Sequence, residues 1–191
     1  MRKEPIKNIA ASVRQRLLNL AREANRPFSE LLQYYAMERF LYRLSKSPHR
    51  KKFVLKGALM FTVWEAPLSR TTMDIDLLGK TRNSMDNLVA VIQGACLQDV
   101  EPDGLSFDEK SVDAERIIED ADYEGVRVRF RCVLDTARCM IQLDVAFGDV
   151  ISPSSLSIIF PTLLNMPAPR LQGDSCCQDI FKPPDRASAA P

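Results

Sequence analysis

The chain has 191 residues, of which 46% are hydrophobic, and is therefore long enough to bury one sizeable core. Its 26 Lys and Arg side chains nearly balance its 25 Asp and Glu side chains, which excludes a uniformly basic nucleic-acid coat and an acidic solvating tail. The charge is unevenly spread, because residues 1–56 carry 14 basic and 4 acidic side chains (+10) whereas the rest of the chain carries 12 and 21 (−9).

Residues 1–48 are predicted to form a helical segment. After Asn8, a suitable N-cap, apolar residues recur at helical spacing up to residue 24, and a second amphipathic stretch runs from Phe28 to about Ser45. We expect both helices to pack on the core through their apolar faces.

The basic residues of these helices are expected on the outer faces. Arg14, Arg39 and Arg43 do not share the apolar faces, so we predict that they are largely solvated. Such a surface could bind RNA phosphates, and the affinity would then fall steeply with added salt. The simpler interpretation is a packed helical hairpin whose charges only contact water.

Residues 49–165 are predicted to form an α/β core. The letters FVL, from Phe53, indicate a short buried strand, Lys56 and Gly57 indicate a turn, and residues 58–65 indicate a helix that opens from this turn. A strand, a glycine turn and a helix in this order often hold a phosphate group. The ordinary alternative is a tight turn after a solvated strand end.

Further strands are indicated by alternation of apolar and polar residues. In MDIDLLG (residues 73–79), Met73, Ile75 and Leu77 share one face, and the two aspartates lie on the other face with Leu78. Residues 126–134 and 140–147 alternate in the same way, and Asp144 falls on the polar face of the second of these strands. Between the strands predicted at residues 73–79 and 126–134, a helix is predicted from a cap at Asn83 or Ser84 to about Cys96.

Two segments give no regular pattern. Residues 97–123 are mixed and polar, with no predicted element, and the regularity fades again beyond Phe160. Residues 166–191 are rich in Pro, Ser and Ala, so we expect them to form a disordered or aberrant C-terminal tail.

Acidic residues on two of the predicted strands could bind a metal. Asp74 and Asp76 stand two residues apart, so their carboxylates would point the same way about 7 Å apart. Mg²⁺ usually binds one or two carboxylates together with substrate phosphates. Asp144 could complete a two-metal site for in-line attack on an α-phosphate. Alone, an Asp-x-Asp pair is more often a solvated strand end.

Candidate phosphate-binding groups lie close to these acids in the sequence. Lys56 and Arg70 would supply positive charge, and Gly57 and Ala58 would supply backbone N–H groups at the start of a helix. These four residues are the predicted nucleotide-binding set.

The segment FVLKGALMFTVWEAPLSRTTMDIDLLG, followed by MIQLDVAFGD, resembles the nucleotidyltransferase toxins of the AbiEii/AbiGii family. The family pattern runs FVLKGGTAL, a basic loop, RxSxDIDL and a strand with a third Asp, and the resemblance covers about residues 8–165. It implies a polymerase-β-like nucleotidyltransferase core with a small mixed sheet after two N-terminal helices. It also implies Mg²⁺ as cofactor, a nucleoside triphosphate donor, an RNA acceptor such as tRNA, and a cognate antitoxin in a toxin–antitoxin or phage-defence system.

By position, the resemblance assigns the three aspartates to catalysis and metal binding, and Gly57 and Ala58 to the phosphate turn. The broader superfamily has Gly-Ser at this turn, so a hydroxyl contact to phosphate is missing here. The Glu-Lys and Lys-Asp patterns of the family's helical C-terminal region are not found after Arg170. The resemblance therefore implies a C-terminally truncated member with weak or no transfer activity.

The cysteines and the hydropathy bear on location. Five cysteines, without a CxxC pair and with one histidine, argue against structural zinc and favour a reducing compartment. No uncharged apolar run reaches the roughly 18 residues of a membrane span, and the N-terminus has no signal-peptide core. We therefore predict a cytoplasmic protein without membrane contact.

Two other functions stay open from the residues alone. The basic helices could hold RNA or a protein partner while the strand acids are inert, or the chain could be an inactive remnant. Magnesium-dependent triphosphate binding that is lost in Asp74→Ala would favour the enzyme. Salt-sensitive RNA binding indifferent to that substitution would favour the binding module.

Overall fold

The computed structural model describes residues 8–64, 72–120, 123–148 and 155–175. Within these residues the chain forms four α-helices and seven β-strands. The helices are α1 (Ile9–Glu23), α2 (Phe28–Lys46), α3 (Leu59–Val63) and α4 (Met85–Cys96). The strands are β1 (Phe53–Lys56), β2 (Ile75–Gly79), β3 (Leu105–Asp120), β4 (Tyr123–Leu134), β5 (Ala137–Ala146), β6 (Leu156–Ile159) and β7 (Arg170–Gly173).

The seven strands form one mixed sheet in the order β3-β4-β5-β2-β1-β7-β6. β2 is parallel to β5 and β1 is parallel to β7, whereas the other neighbours are antiparallel. Two helices precede the sheet in the chain. The predicted fold class, a mixed α/β core behind two N-terminal helices, is therefore confirmed.

Local capping sets the start of two helices. Asn8 accepts a hydrogen bond from the backbone N–H of Ala11 at 3.0 Å, and Ser84 accepts one from the backbone N–H of Asn87 at 3.3 Å. Each cap satisfies a first-turn donor that has no partner within the helix. α2 begins after Pro27 without a side-chain cap, and its stability comes instead from burial along most of its length.

α2 packs against one face of the sheet. The ring centroids of Phe40 in α2 and Phe130 in β4 are 4.9 Å apart, and Ile75 and Leu77 of β2 are buried in the same core. Because side chains alternate along a strand, the residues between these core positions point to the opposite face. That second face carries the acidic residues of β2 and β5.

Four charged residues that are buried around α2 form a group that we call the α2 cluster: Glu38, Arg39, Arg43 and Asp103. Both Nη atoms of Arg43 donate to the Asp103 carboxylate, at 2.5 and 3.0 Å. Arg39 donates to the carbonyl of Pro167 at 2.6 Å, and Glu38 accepts from the backbone N–H of Leu163 at 2.7 Å. Burial raises the pKa of Glu38 to about 7, although the neighbouring Arg39 acts in the opposite direction.

The prediction that Arg39 and Arg43 are solvated is wrong. Their exposed fractions are 1% and 6%. Segments around Asp103 and Leu163, far from α2 in the sequence, cover the side of the helix that carries these arginines and supply the oxygens that they bind. The periodicity of a helix shows which residues share a face, but it does not show how many faces are covered.

Three strands, β3, β6 and β7, lie where no strand was predicted. In β3, the register with β4 shifts between Asp108 and Asp113, so a bulge interrupts the alternation that would indicate a strand. β7 falls within the predicted tail, and it pairs with both β1 and β6. The sequence of β7, RLQG, contains one large apolar residue and so gives no strand pattern. The expectation of a disordered tail from residue 166 is therefore wrong up to residue 175, and the part after residue 175 lies outside the described residues.

The cysteines of the central hairpin are joined. Cys132 and Cys139 are cross-strand partners in β4 and β5, and they form a disulfide. The cysteine count did not predict this disulfide. A disulfide gives no support to the predicted reducing compartment. The cytoplasmic location therefore stays a prediction. Among the described residues, no helix combines the length and the apolar character that crossing a bilayer requires.

Candidate active site

Five charged side chains lie in one row across five neighbouring strands. The strand register pairs Lys56 of β1 with Asp76 of β2, and Asp76 with Asp144 of β5. It continues from Asp144 to Arg127 of β4, and from Arg127 to Glu115 of β3. We call these five residues the charged row. Its two adjacent acids are flanked by a cation on each side.

The two central acids are neighbours because β2 and β5 are parallel and in register. Adjacent strands lie about 4.8 Å apart, so two carboxylates on the same face can bind one cation or raise each other's energy by repulsion. The next row on this face is apolar and buried, and it consists of Val54, Leu78 and Ala146. The acids therefore lie against an apolar border on one side.

The turn after β1 lies directly against Asp76. Gly57 has φ +69°, and a Cβ atom added to it would be 2.0 Å from Oδ2 of Asp76. Any other residue would be strained by this backbone conformation and would collide with the carboxylate. The glycine therefore allows Asp76 to approach the backbone of the turn.

Arg127 binds Asp144 through a two-pronged contact. Its Nε donates to Oδ1 at 2.8 Å and its Nη2 donates to Oδ2 at 2.7 Å. The side chains are 27% and 14% exposed, so water screens the pair only in part. The hydrogen bond with Asp144 raises the pKa of the Arg127 guanidinium above its ordinary value, and the nearby charges of Glu115 and Asp74 add to this.

The predicted metal ligands can be compared with this arrangement. Asp76 and Asp144 lie side by side, whereas Asp74 precedes β2 and acts on the row through its charge on Arg127. Within the described ranges, no three His, Cys, Asp or Glu side chains are grouped so that they could hold a metal ion. Two adjacent carboxylates nevertheless fit Mg²⁺ by donor chemistry, since that ion needs only one or two carboxylates when phosphates supply further oxygens.

The predicted nucleotide-binding residues lie in different places. Lys56 belongs to the charged row, and Gly57 forms the turn against Asp76. Ala58 is the N-cap of α3, which begins at Leu59 and has five residues, so it carries little of the dipole expected of a longer helix. Arg70 lies outside the described residues.

Arg127 and Glu115 are members of the row that sequence reasoning missed. A signal for Arg127 was present, because the alternating strand VRVRF puts it on the polar face. Its partner follows only from the register of the β4–β5 hairpin, which turns at Asp135 and Thr136. Glu115 had no signal, since β3 was not predicted.

The largest cavity is not at this site. A cleft of about 80 Å³ is lined by Lys56, Asp76 and Asp144. A mainly apolar cavity of about 220 Å³ lies between α2, α3 and residues 161–163, and one of about 540 Å³ lies beside the disulfide. Of these three cavities in the described part of the chain, the small cleft is the one that combines paired acids, a cation and a strand-end turn, and we therefore regard it as the candidate active site.

The chain matches one known protein family over most of its length. The sequence model of a family described as nucleotidyl transferase AbiEii toxin, Type IV TA system, matches residues 39–175. The chain belongs to the AbiEii family. The matched range contains every described residue of the charged row and also β7, so the AbiEii match extends beyond the predicted core boundary at residue 165.

Two solved structures are similar to this AbiEii chain. One is the crystal structure of JHP933 from Helicobacter pylori, with 19% sequence identity and a TM-score of 0.47, covering 79% of this chain and 54% of that chain. The other is a candidate nucleotidyltransferase from H. pylori, with 18% identity and a TM-score of 0.44, covering 78% of this chain and 55% of that one. The chain thus spans about half the length of these structures. No protein among those with curated functions matches the sequence.

Proposed function

We propose that the charged row is the nucleotidyltransferase site of an AbiEii toxin, and that the chain transfers a nucleotide from a nucleoside triphosphate to an RNA acceptor, with tRNA as the first candidate. The observation that carries the proposal is the in-register pair Asp76 and Asp144 beside the Gly57 turn and Lys56. Family membership supports the reaction class and an antitoxin partner. A role in phage defence belongs to the same proposal.

The residues of the row have separate tasks in this proposal. Asp76 and Asp144 would hold Mg²⁺, which when bound supplies charge neutralisation at the phosphates and a more acidic attacking hydroxyl. Lys56 lies next to Asp76 in the row and would place a positive charge beside the triphosphate. The turn at Gly57 would bring backbone groups close to the same phosphates, because no Cβ occupies the space.

The basic N-terminal part of the chain supports an RNA acceptor. Residues 1–56 carry a net charge of +10, and Arg50 and Lys51 at the start of the segment that leads into β1 are exposed. Phosphate contacts of this kind supply affinity without sequence selectivity. The acceptor would therefore be held by its backbone near the strand that ends at Lys56.

The proposal can be tested by incubating the purified chain with each labelled nucleoside triphosphate, Mg²⁺ and total RNA. Divalent-dependent triphosphate binding should be measured on the same samples. We expect Asp76→Asn and Asp144→Asn to lower transfer by roughly 100-fold or more, as loss of a charge-stabilising group does in other active sites. Gly57→Ala should lower it as well, because the added Cβ would displace the Asp76 carboxylate.

Asp108→Asn is the matched control for these variants. Asp108 is an acidic residue of the same sheet, but its partner is Arg131 at 2.9 Å and it lies outside the charged row. Transfer should be unchanged in this variant. Full transfer by Asp76→Asn would refute the assignment. RNA binding that depends on salt but not on Asp76, without triphosphate binding, would identify an RNA-binding module instead.

A further inference from the structure

The two hydrogen bonds from Arg127 to Asp144, which we call the fork, affect how a cation can bind at the charged row. Both carboxylate oxygens of Asp144 accept a hydrogen bond from one guanidinium, at 2.8 and 2.7 Å. Gln142 adds a long contact of 3.5 Å to Oδ2. Charge-assisted, two-pronged contacts of this kind are among the stronger hydrogen bonds in proteins.

A divalent cation and this guanidinium cannot both be close to Asp144 at low cost. Each carboxylate oxygen keeps a second lone pair, but a cation bound there would lie within a few ångströms of another positive charge. The pair is only 27% and 14% exposed, so solvent weakens this repulsion less than it would at the surface. Cation binding therefore favours release of the fork.

The row provides another anionic neighbour for the released side chain. Glu115 is the cross-strand partner of Arg127 on the side away from Asp144. Its carboxylate already acts on Arg127 electrostatically, and it binds Arg129 at 2.8 Å. A guanidinium that leaves Asp144 would thus remain beside a carboxylate.

We propose that Arg127 is a positioning residue that competes with the divalent cation for Asp144 and so lowers the affinity of the site for metal. This inference rests on the proposed function, since it assumes that Asp76 and Asp144 bind the cation. Arg127 holds the Asp144 carboxylate in place before the cation arrives. Its removal should therefore strengthen metal binding, the opposite of what removal of a ligand would do.

Mn²⁺ binding to the whole chain, followed by the electron paramagnetic resonance signal of the free ion, tests this competition without any activity readout. We expect Arg127→Gln to bind Mn²⁺ about tenfold more tightly than the wild type, which corresponds to about 1.4 kcal/mol. Arg127→Lys keeps the positive charge but loses the fork, so its affinity should lie between the two. Arg127→Lys also keeps the test valid if Arg127→Gln does not fold.

Arg129→Gln is the matched control. Arg129 is two residues along the same strand and on the same face, but it contacts Glu115 and the Oε1 atom of Gln142. The variant removes an equal charge without touching the fork, and its Mn²⁺ affinity should stay within about twofold of the wild type, since exposed charges are well screened. An equal gain in both glutamine variants would show a general charge effect and overturn the competition.

Asp76→Asn separates failure of this inference from failure of the proposed function. Weaker Mn²⁺ binding in Asp76→Asn with unchanged affinity in Arg127→Gln would leave the metal site standing and overturn the role of Arg127. Unchanged Mn²⁺ binding in Asp76→Asn and in Asp144→Asn would remove the metal site from the row, and the inference would fall with it.

Discussion

The two faces of the sheet hold charged groups of different character. The α2 cluster is buried, and in it each of the two arginines is matched by an acid or by backbone carbonyls within the protein. The charged row is partly exposed and places two acids next to each other, with cations at their sides. Buried pairs of this kind fix how segments dock, whereas adjacent like charges cost stability and are typical of binding or catalytic sites.

The largest stability effect should come from the α2 cluster. Asp103→Ala leaves the guanidinium of Arg43 buried without its carboxylate, and we expect the free energy of unfolding to fall by about 3–5 kcal/mol. Urea unfolding measures this loss. The double variant Arg43→Met/Asp103→Ala should recover much of it, because no uncompensated charge remains. A loss below about 1 kcal/mol in the single variant would show that this buried ion pair contributes no more to stability than an exposed ion pair does.

A smaller effect is expected from the pH dependence of Glu38. Burial raises its pKa in the folded state to about 7, above the ordinary value of 4.5, so the folded chain binds this proton more tightly than the unfolded chain. Stability should therefore fall as the pH rises from about 4.5 to 7, by roughly 3 kcal/mol at most. Glu38→Gln should flatten this part of the profile. The same slope in both proteins, measured by urea unfolding at pH 5 and pH 8, would contradict the prediction.

The smallest effect should come from the outer end of the charged row. The Glu115 side chain is 51% exposed and pairs with Arg129, which is 43% exposed. Such surface pairs contribute about 0–1 kcal/mol, so Glu115→Gln should change the free energy of unfolding by less than about 1 kcal/mol. A thermal unfolding comparison at low salt, where the effect is largest, measures it. A loss as large as that of Asp103→Ala would mean that the row also holds the fold together.

The sequence was informative about the site where strands alternate regularly. Alternation alone put Asp76 and Asp144 on the polar faces of their strands, and the structure makes them neighbours. Alternation could not predict the hydrogen bonds between Arg127 and Asp144. A cross-strand partner depends on the register of two strands, which the pattern of a single strand does not encode. Asp74 was expected to share the strand geometry of Asp76, but it lies before β2 begins.

The fold was predictable where local signals are strong. Caps and apolar periodicity located α1, α2 and α4 within a few residues, because these signals act within one element. β3 and β7 have weak patterns of their own and are held by their neighbours in the sheet. The burial of Arg39 and Arg43 likewise depends on residues that are distant in the chain, such as Pro167.

The parallel pairing of β2 and β5 bears on the order in which the site assembles during folding. β3 and β4 lie between these strands in the chain, whereas β4 and β5 are joined by a tight turn. Local hairpins close with less loss of chain entropy than distant pairings, and contacts between distant segments form later. We therefore expect Asp144 to meet Arg127 before it meets Asp76. In the newly made chain, Asp144 would then come beside Asp76 only after Arg127 has neutralised its charge.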